Sequence, residues 1–236
     1  MKRFSLFLMA SGISGAALAG GFSTGFEVTD VPASFGGDEL HRTGGEPYRW
    51  NWSGEDIGAV SAKPAATRTG SQGVDATRRT TGHSQAWWTR PDAFPAASSG
   101  KVSISLVVRA VDWQDNQDSF VEIAVSDISA DDLAANETRS AWVSLKGNGR
   151  LYAWNGNAEQ ELATDIAVHE WQALRIEVDV AAGTYRVLLN GQETGSGLAF
   201  FNPAVRAVRS LQFKDFNNGK STGGVYFDDV AVTVEP

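Results

Sequence analysis

Between residues 63 and 90 the chain gathers Lys63, Arg68, Arg78, Arg79 and Arg90 against a single acid, Asp75. In the second half of this stretch His83, Gln85 and Trp87 alternate, and Trp88 follows. Side chains of an extended strand alternate with period 2, so His83, Gln85 and Trp87 would share a face. A cation or amide at such a place neutralises a substrate carboxylate. An imidazole takes the proton from the adjacent carbon, and flat indoles stack on sugar rings. These are the groups that β-elimination from a uronate glycan requires, with His83, Gln85, Arg79 and Arg90 as the candidate catalytic set. The competing reading is a solvated loop with scattered arginines.

Other chemistry is less well supplied. Glycoside hydrolysis needs two carboxyl groups about 5–10 Å apart. Glu122 with Asp127, and Glu177 with Asp179, do not complete a Glu-x-Asp-x-x-Glu arrangement. His41 and His169 are isolated and lack the spacing of a zinc site. Adjacent carboxylates stand at Asp228-Asp229, inside the closing run Gly223-Gly224-Val225-Tyr226-Phe227-Asp228-Asp229-Val230-Ala231-Val232-Thr233-Val234. Val225 and Phe227 have one parity; Val230, Val232 and Val234 have the other. A single strand burying both sets needs a bulge or twist at the two aspartates. Carboxylates in a half-buried strand are costly unless neutralised, by calcium or by solvent.

Eight tryptophans are many for 236 residues. Trp142 and Trp171 lie within clean alternating strands and read as core. Trp87, Trp88, Trp113 and Trp154 are the candidate ligand-binding set. Trp113 and Trp154 have Asp112, Asp115, Asn116, Asn155 and Asn157 beside them. An indole platform ringed by hydrogen-bonding side chains is what a sugar site needs.

The elements that must position these groups are strands. Residues 101–113 alternate, with Val102, Ile104, Leu106, Val108 and Ala110 on one side. Residues 119–126 repeat the pattern, and residues 139–146 and 150–154 pair across Gly147-Asn148-Gly149. Residues 171–180 and 184–189 follow, joined at Ala181-Ala182-Gly183, and Asn190-Gly191 is a further turn signal. Ten or more short strands, no long helical period and no repeat predict an all-β, antiparallel two-sheet sandwich.

The first 19 residues stand apart. Lys2 and Arg3 precede an apolar run over 4–13, and Ala17-Leu18-Ala19 offers small residues for cleavage, so residues 1–19 read as a signal peptide and 20–236 as one domain. The run is too short to span a membrane, and no integral membrane segment is expected. The leader holds two of the 20 Lys+Arg and none of the 28 Asp+Glu, so the net charge of −8 becomes −10 without it. That balance argues against nucleic acid as a partner. There is no cysteine, so the core must hold the domain without disulfides.

Trp171-Gln172-Ala173-Leu174-Arg175-Ile176-Glu177-Val178-Asp179, followed by Gly183-Thr184-Tyr185-Arg186-Val187-Leu188-Leu189-Asn190-Gly191, resembles the paired strands of concanavalin A-like and laminin-G-like jelly rolls. Thr69-Gly70-Ser71-Gln72-Gly73-Val74 and Tyr226-Phe227-Asp228-Asp229-Val230 resemble bacterial carbohydrate-binding jelly rolls. The resemblance implies first and last strands side by side with a structural calcium between them, nominating Glu27 and Asp228, and secondarily Asp229. The Gln-Ile-His and Tyr-Phe-Lys-Ala-Gly runs associated with alginate lyases are missing, and Phe213-Lys214-Asp215-Phe216 does not replace the second.

The expectation is a secreted or periplasmic jelly roll that recognises a polysaccharide or other glycan without cleaving it. The alternatives are a polysaccharide lyase on an acidic glycan and an extracellular adhesion or structural domain.

Overall fold

A computed structural model describes residues 20–24, 51–54, 59–61, 67–70, 73–77, 83–90, 96–111, 120–127, 138–146, 148–167, 169–218 and 224–236. Among these, fifteen strands form two antiparallel sheets, and no helix is long and apolar enough to cross a membrane. The strands are β1 (Gly20–Thr24), β2 (Asn51–Gly54), β3 (Ala59–Ser61), β4 (Gly73–Thr77), β5 (His83–Arg90), β6 (Lys101–Val111), β7 (Phe120–Ser126) and β8 (Arg139–Lys146). They continue with β9 (Arg150–Asn155), β10 (Ala158–Ala163), β11 (Gln172–Asp179), β12 (Thr184–Leu189), β13 (Gln192–Ala199), β14 (Ser210–Asn218) and β15 (Gly224–Glu235). One sheet runs β13-β12-β11-β6-β15-β4-β3, with β1 also on β15; the other runs β10-β9-β8-β7-β14-β5-β2.

The predicted period-two faces meet between the sheets. Val102, Ile104, Leu106, Val108, Leu174, Ile176, Val178 and Val187 pack against Ile123, Val125, Ala141, Val143, Leu145, Leu151, Ala153 and Leu211 in one buried cluster. Each buried Val, Leu or Ile contributes about 1.5–3 kcal/mol by leaving water, which is how a chain without disulfides holds together.

The last strand behaves as its parity switch requires. Val225, Phe227, Val230, Val232 and Val234 are all in the core. Against β6 the register steps from Asp228↔Val107 to Ala231↔Ser105, one extra residue on β15. Asp229 takes the left-handed conformation, φ 50°, and this bulge returns the later valines to the core side. On the other edge of β15, Gly224–Phe227 pairs with β4 and Val230–Val234 pairs with β1. The aspartates therefore sit where one neighbouring strand gives way to the other. The first described strand does lie beside the last, with Thr24 opposite Val230.

Asp228 is fully buried there. Its Oδ2 accepts the backbone N–H groups of Arg68, at 2.7 Å, and Thr69, at 3.1 Å. Its Oδ1 accepts the N–H of Asp229 at 2.8 Å. The Thr69 hydroxyl donates to Asp229 Oδ1. These backbone donors offset part of the cost of burying the carboxylate. Among the described residues no three His, Cys, Asp or Glu side chains gather as a metal group. Glu27 lies outside them, as do residues 1–19.

Candidate carbohydrate-binding face

The even-numbered positions of β8 and β9 point away from the core. Their neighbours Val143 and Ala153 are fully buried inside the sandwich, while Trp142 and Trp154 are partly exposed on the outer face of the seven-stranded sheet. The structure thus departs from the expectation that Trp142 is core. The two indoles stack, centroids 4.9 Å apart and planes at 27°. Phe201 stands edge-on to both, at 4.8 and 5.3 Å. Offset and edge-on contacts of this kind are the favoured aromatic geometries.

A fork in the sheet creates this cluster. The pairing of β8 with β9 reaches Val143↔Ala153, one residue short of the tryptophans. Beyond that point the segment after β13 bonds to both strands. The Phe201 and Asn202 N–H groups donate to the Ser140 and Arg139 carbonyls, at 2.8 and 3.1 Å. The Ala199 N–H donates to Asn155 Oδ1 at 2.9 Å, and the Gly156 N–H to the Ala199 carbonyl at 3.1 Å. At the apex, the hydroxyl of Tyr185, a β12 residue from the opposite sheet, donates to the backbone carbonyls of Trp142 and Trp154. Burial pushes the Tyr185 phenol upward. The group remains a neutral donor.

Beside the stack lies a buried polar row. The Arg139 guanidinium is 4.1 Å from the Trp142 ring centroid, and its Nε donates to Gln212 Oε1 at 3.2 Å. Burial lowers the Arg139 pKa, and the nearby Glu122 charge pulls the other way. Toward the sheet edge, Lys146 pairs with Glu159 and Arg150 with Glu161, each at 2.6 Å. The Arg150 contact, then the Tyr152 hydroxyl at 3.0 Å, hold the Glu161 carboxyl below its usual range. The outer face therefore grades from an aromatic end into a band of bridged charges.

Strand register extends the row toward β5. Lys214 of β14 stands between Glu122 on β7 and Trp87 on β5; Phe216 is opposite Gln85, and Asn218 opposite His83. His83, Gln85 and Trp87 thus hold register positions in line with Lys214, in the segment nominated from the sequence as the candidate lyase site. Trp88 and Arg90 have the other parity, opposite Phe213 and the core residue Leu211. Arg79 and Trp113 lie outside the described residues. The sequence reading missed Arg139, Gln212, Phe201 and Tyr185. For Trp142 a signal existed, since it shares parity with Ser140 and Ser144 rather than with Ala141, Val143 and Leu145.

No family model matches the chain, and no curated protein matches it by sequence. Solved structures do. An endo-β-1,4-glucuronan lyase from the fungus Trichoderma reesei superposes with a TM-score of 0.56 and 17% identity, over 83% of this chain and 93% of that one. The Emp47p carbohydrate recognition domain gives 0.52 and 11%, over 84% and 93%. A sialidase gives 0.52 and 13% over 78% of this chain, and this chain spans only 17% of that protein. At these identities the likeness speaks to architecture alone: the chain folds as an antiparallel two-sheet jelly-roll sandwich.

Proposed function

We propose that the protein binds a polysaccharide along the outer face of the seven-stranded sheet, outside the cytoplasm, without cleaving it. The observation that carries this reading is the partly exposed Trp142–Trp154 stack beside Arg139 and Gln212. Indole faces and edges take the apolar faces of sugar rings, and flanking donors and acceptors take hydroxyls or carboxylates. The carbohydrate recognition domain and the glucuronan lyase among the similar folds support a glycan as partner.

One observation favours a second reading. The register pairs His83, Gln85 and Trp87 with Asn218, Phe216 and Lys214, so residues carrying an imidazole, an amide and an ammonium hold positions of the same parity. Elimination from a uronate uses such groups to neutralise the carboxylate and remove the neighbouring proton. Mixing the protein with polyglucuronate, alginate and a neutral β-glucan separates the readings. Binding with unchanged polymer length supports recognition alone. Ultraviolet absorbance from an unsaturated product establishes the lyase. Neither result leaves an adhesion or structural role, and the glycan reading falls.

A further inference from the structure

We infer that Tyr185 is a positioning residue for the Trp142–Trp154 platform, acting from the opposite sheet through the two tryptophans' own backbone. This rests on the glycan-binding reading above for its functional consequence, but its geometry stands independently. Tyr185 belongs to β12, its ring is 2% exposed in the sandwich core, and its hydroxyl reaches the carbonyls of both Trp142 and Trp154. Those carbonyls lie just past the last β8–β9 pair, where the strands part around the Ala199–Asn202 chain. One hydroxyl bridging both carbonyls fixes how far the strands separate.

No hydrogen bond among the described residues fixes the rings themselves, although the Arg139 guanidinium lies over Trp142. The Nε1 atoms of Trp142 and Trp154 are buried and make no hydrogen bond among the described residues. The angle and spacing of the indoles therefore follow from the backbone beneath them and from packing against each other and Phe201. Removing the hydroxyl leaves two buried carbonyls without that donor. The strands then shift toward other donors, and the indoles shift with them. A purely structural tyrosine would cost stability and leave the stack as it is.

Two stacked indoles couple their excited states and give a paired positive and negative band in far-ultraviolet circular dichroism. Trp142→Phe and Trp154→Phe each identify the band by abolishing it. In Tyr185→Phe the account expects that band to lose more than half its intensity while the remaining β-sheet signal persists. Affinity for whichever of polyglucuronate, alginate or β-glucan the wild type binds should fall about three- to tenfold, the scale of one hydrogen bond. If Tyr185→Phe melts too low, the comparison is made in sucrose, which favours the compact state. Placing 4-aminophenylalanine at 185, which keeps a ring donor, must then restore the band. A lowered melting temperature with the band and affinity unchanged overturns the inference, as does a folded 4-aminophenylalanine variant that fails to restore the band. If the wild type binds none of the polymers, the functional reading fails, and the band alone still decides the role of Tyr185.

Discussion

Trp142 and Trp154 lie on adjacent strands with their indoles stacked at 4.9 Å, although the pairing of those strands ends one residue before them. Both rings are partly exposed, so truncating either should harm binding more than folding. Trp154→Ala should weaken polysaccharide affinity about tenfold or more, in line with an aromatic anchor. Its cost in chemical denaturation should stay below the ~3–5 kcal/mol of a fully buried Trp→Ala change. A large stability loss with intact affinity would make the stack structural.

Asp228 makes a prediction about pH. Burial pushes its carboxyl above the ordinary range; the N–H donors of Arg68, Thr69 and Asp229 oppose this, and the Asp229 charge adds to it. The folded chain therefore holds this proton more tightly than the unfolded chain does. The contribution is present below the ordinary carboxylate range and is lost as pH rises through the raised value. Asp228→Asn replaces one accepting oxygen with an amide donor facing N–H groups, and should cost about 1–3 kcal/mol. The melting-temperature advantage of wild type over this variant should be largest in acid and shrink as pH rises. An advantage growing with pH contradicts the assignment.

The same residue decides the calcium question. If backbone donors alone satisfy its oxygens, the wild type melts at the same temperature in calcium and in chelator. A rise with calcium that a chelator reverses, and that Asp228→Ala lacks, would instead place the ion at Glu27, Asp228 and Asp229.

Gly100 and Gly183 separate close approach from backbone strain. Both have positive φ, 74° and 66°. A Cβ on Gly100 would lie 2.1 Å from the Glu235 carbonyl oxygen, whereas one on Gly183 meets nothing within 4 Å. Gly183→Ala should cost only the left-handed penalty, about 1–2 kcal/mol. Gly100→Ala should cost clearly more, because the end of β15 must move. Equal losses in denaturant titration would remove the packing argument.

Much of the architecture was legible because burial imposes period two. Val102 to Ala110 and Leu174 to Val178 alternate, and the parity change between Phe227 and Val230 announced the bulge that the register contains. Polar edge strands gave no such signal. In β10 the residues Ala158 to Glu161 are all exposed, and β13 buries only Leu198. The partners of Asp228 are backbone groups about 160 positions away, which no side-chain pattern encodes. Trp142 looked like core because it is a large apolar residue inside an alternating strand, although it shares parity with Ser140 and Ser144. The fork was invisible for a similar reason: it is built from carbonyls, one tyrosine hydroxyl and a crossing chain.

Titrating the wild type and Trp154→Ala with polyglucuronate, alginate and a neutral β-glucan, while following tryptophan emission and polymer length, tests the central claim most directly. The account predicts a saturable emission change with at least one polymer, lost or strongly weakened in Trp154→Ala, and no shortening of the chains. Emission unchanged by all three polymers, or an equal response in the variant, would contradict it.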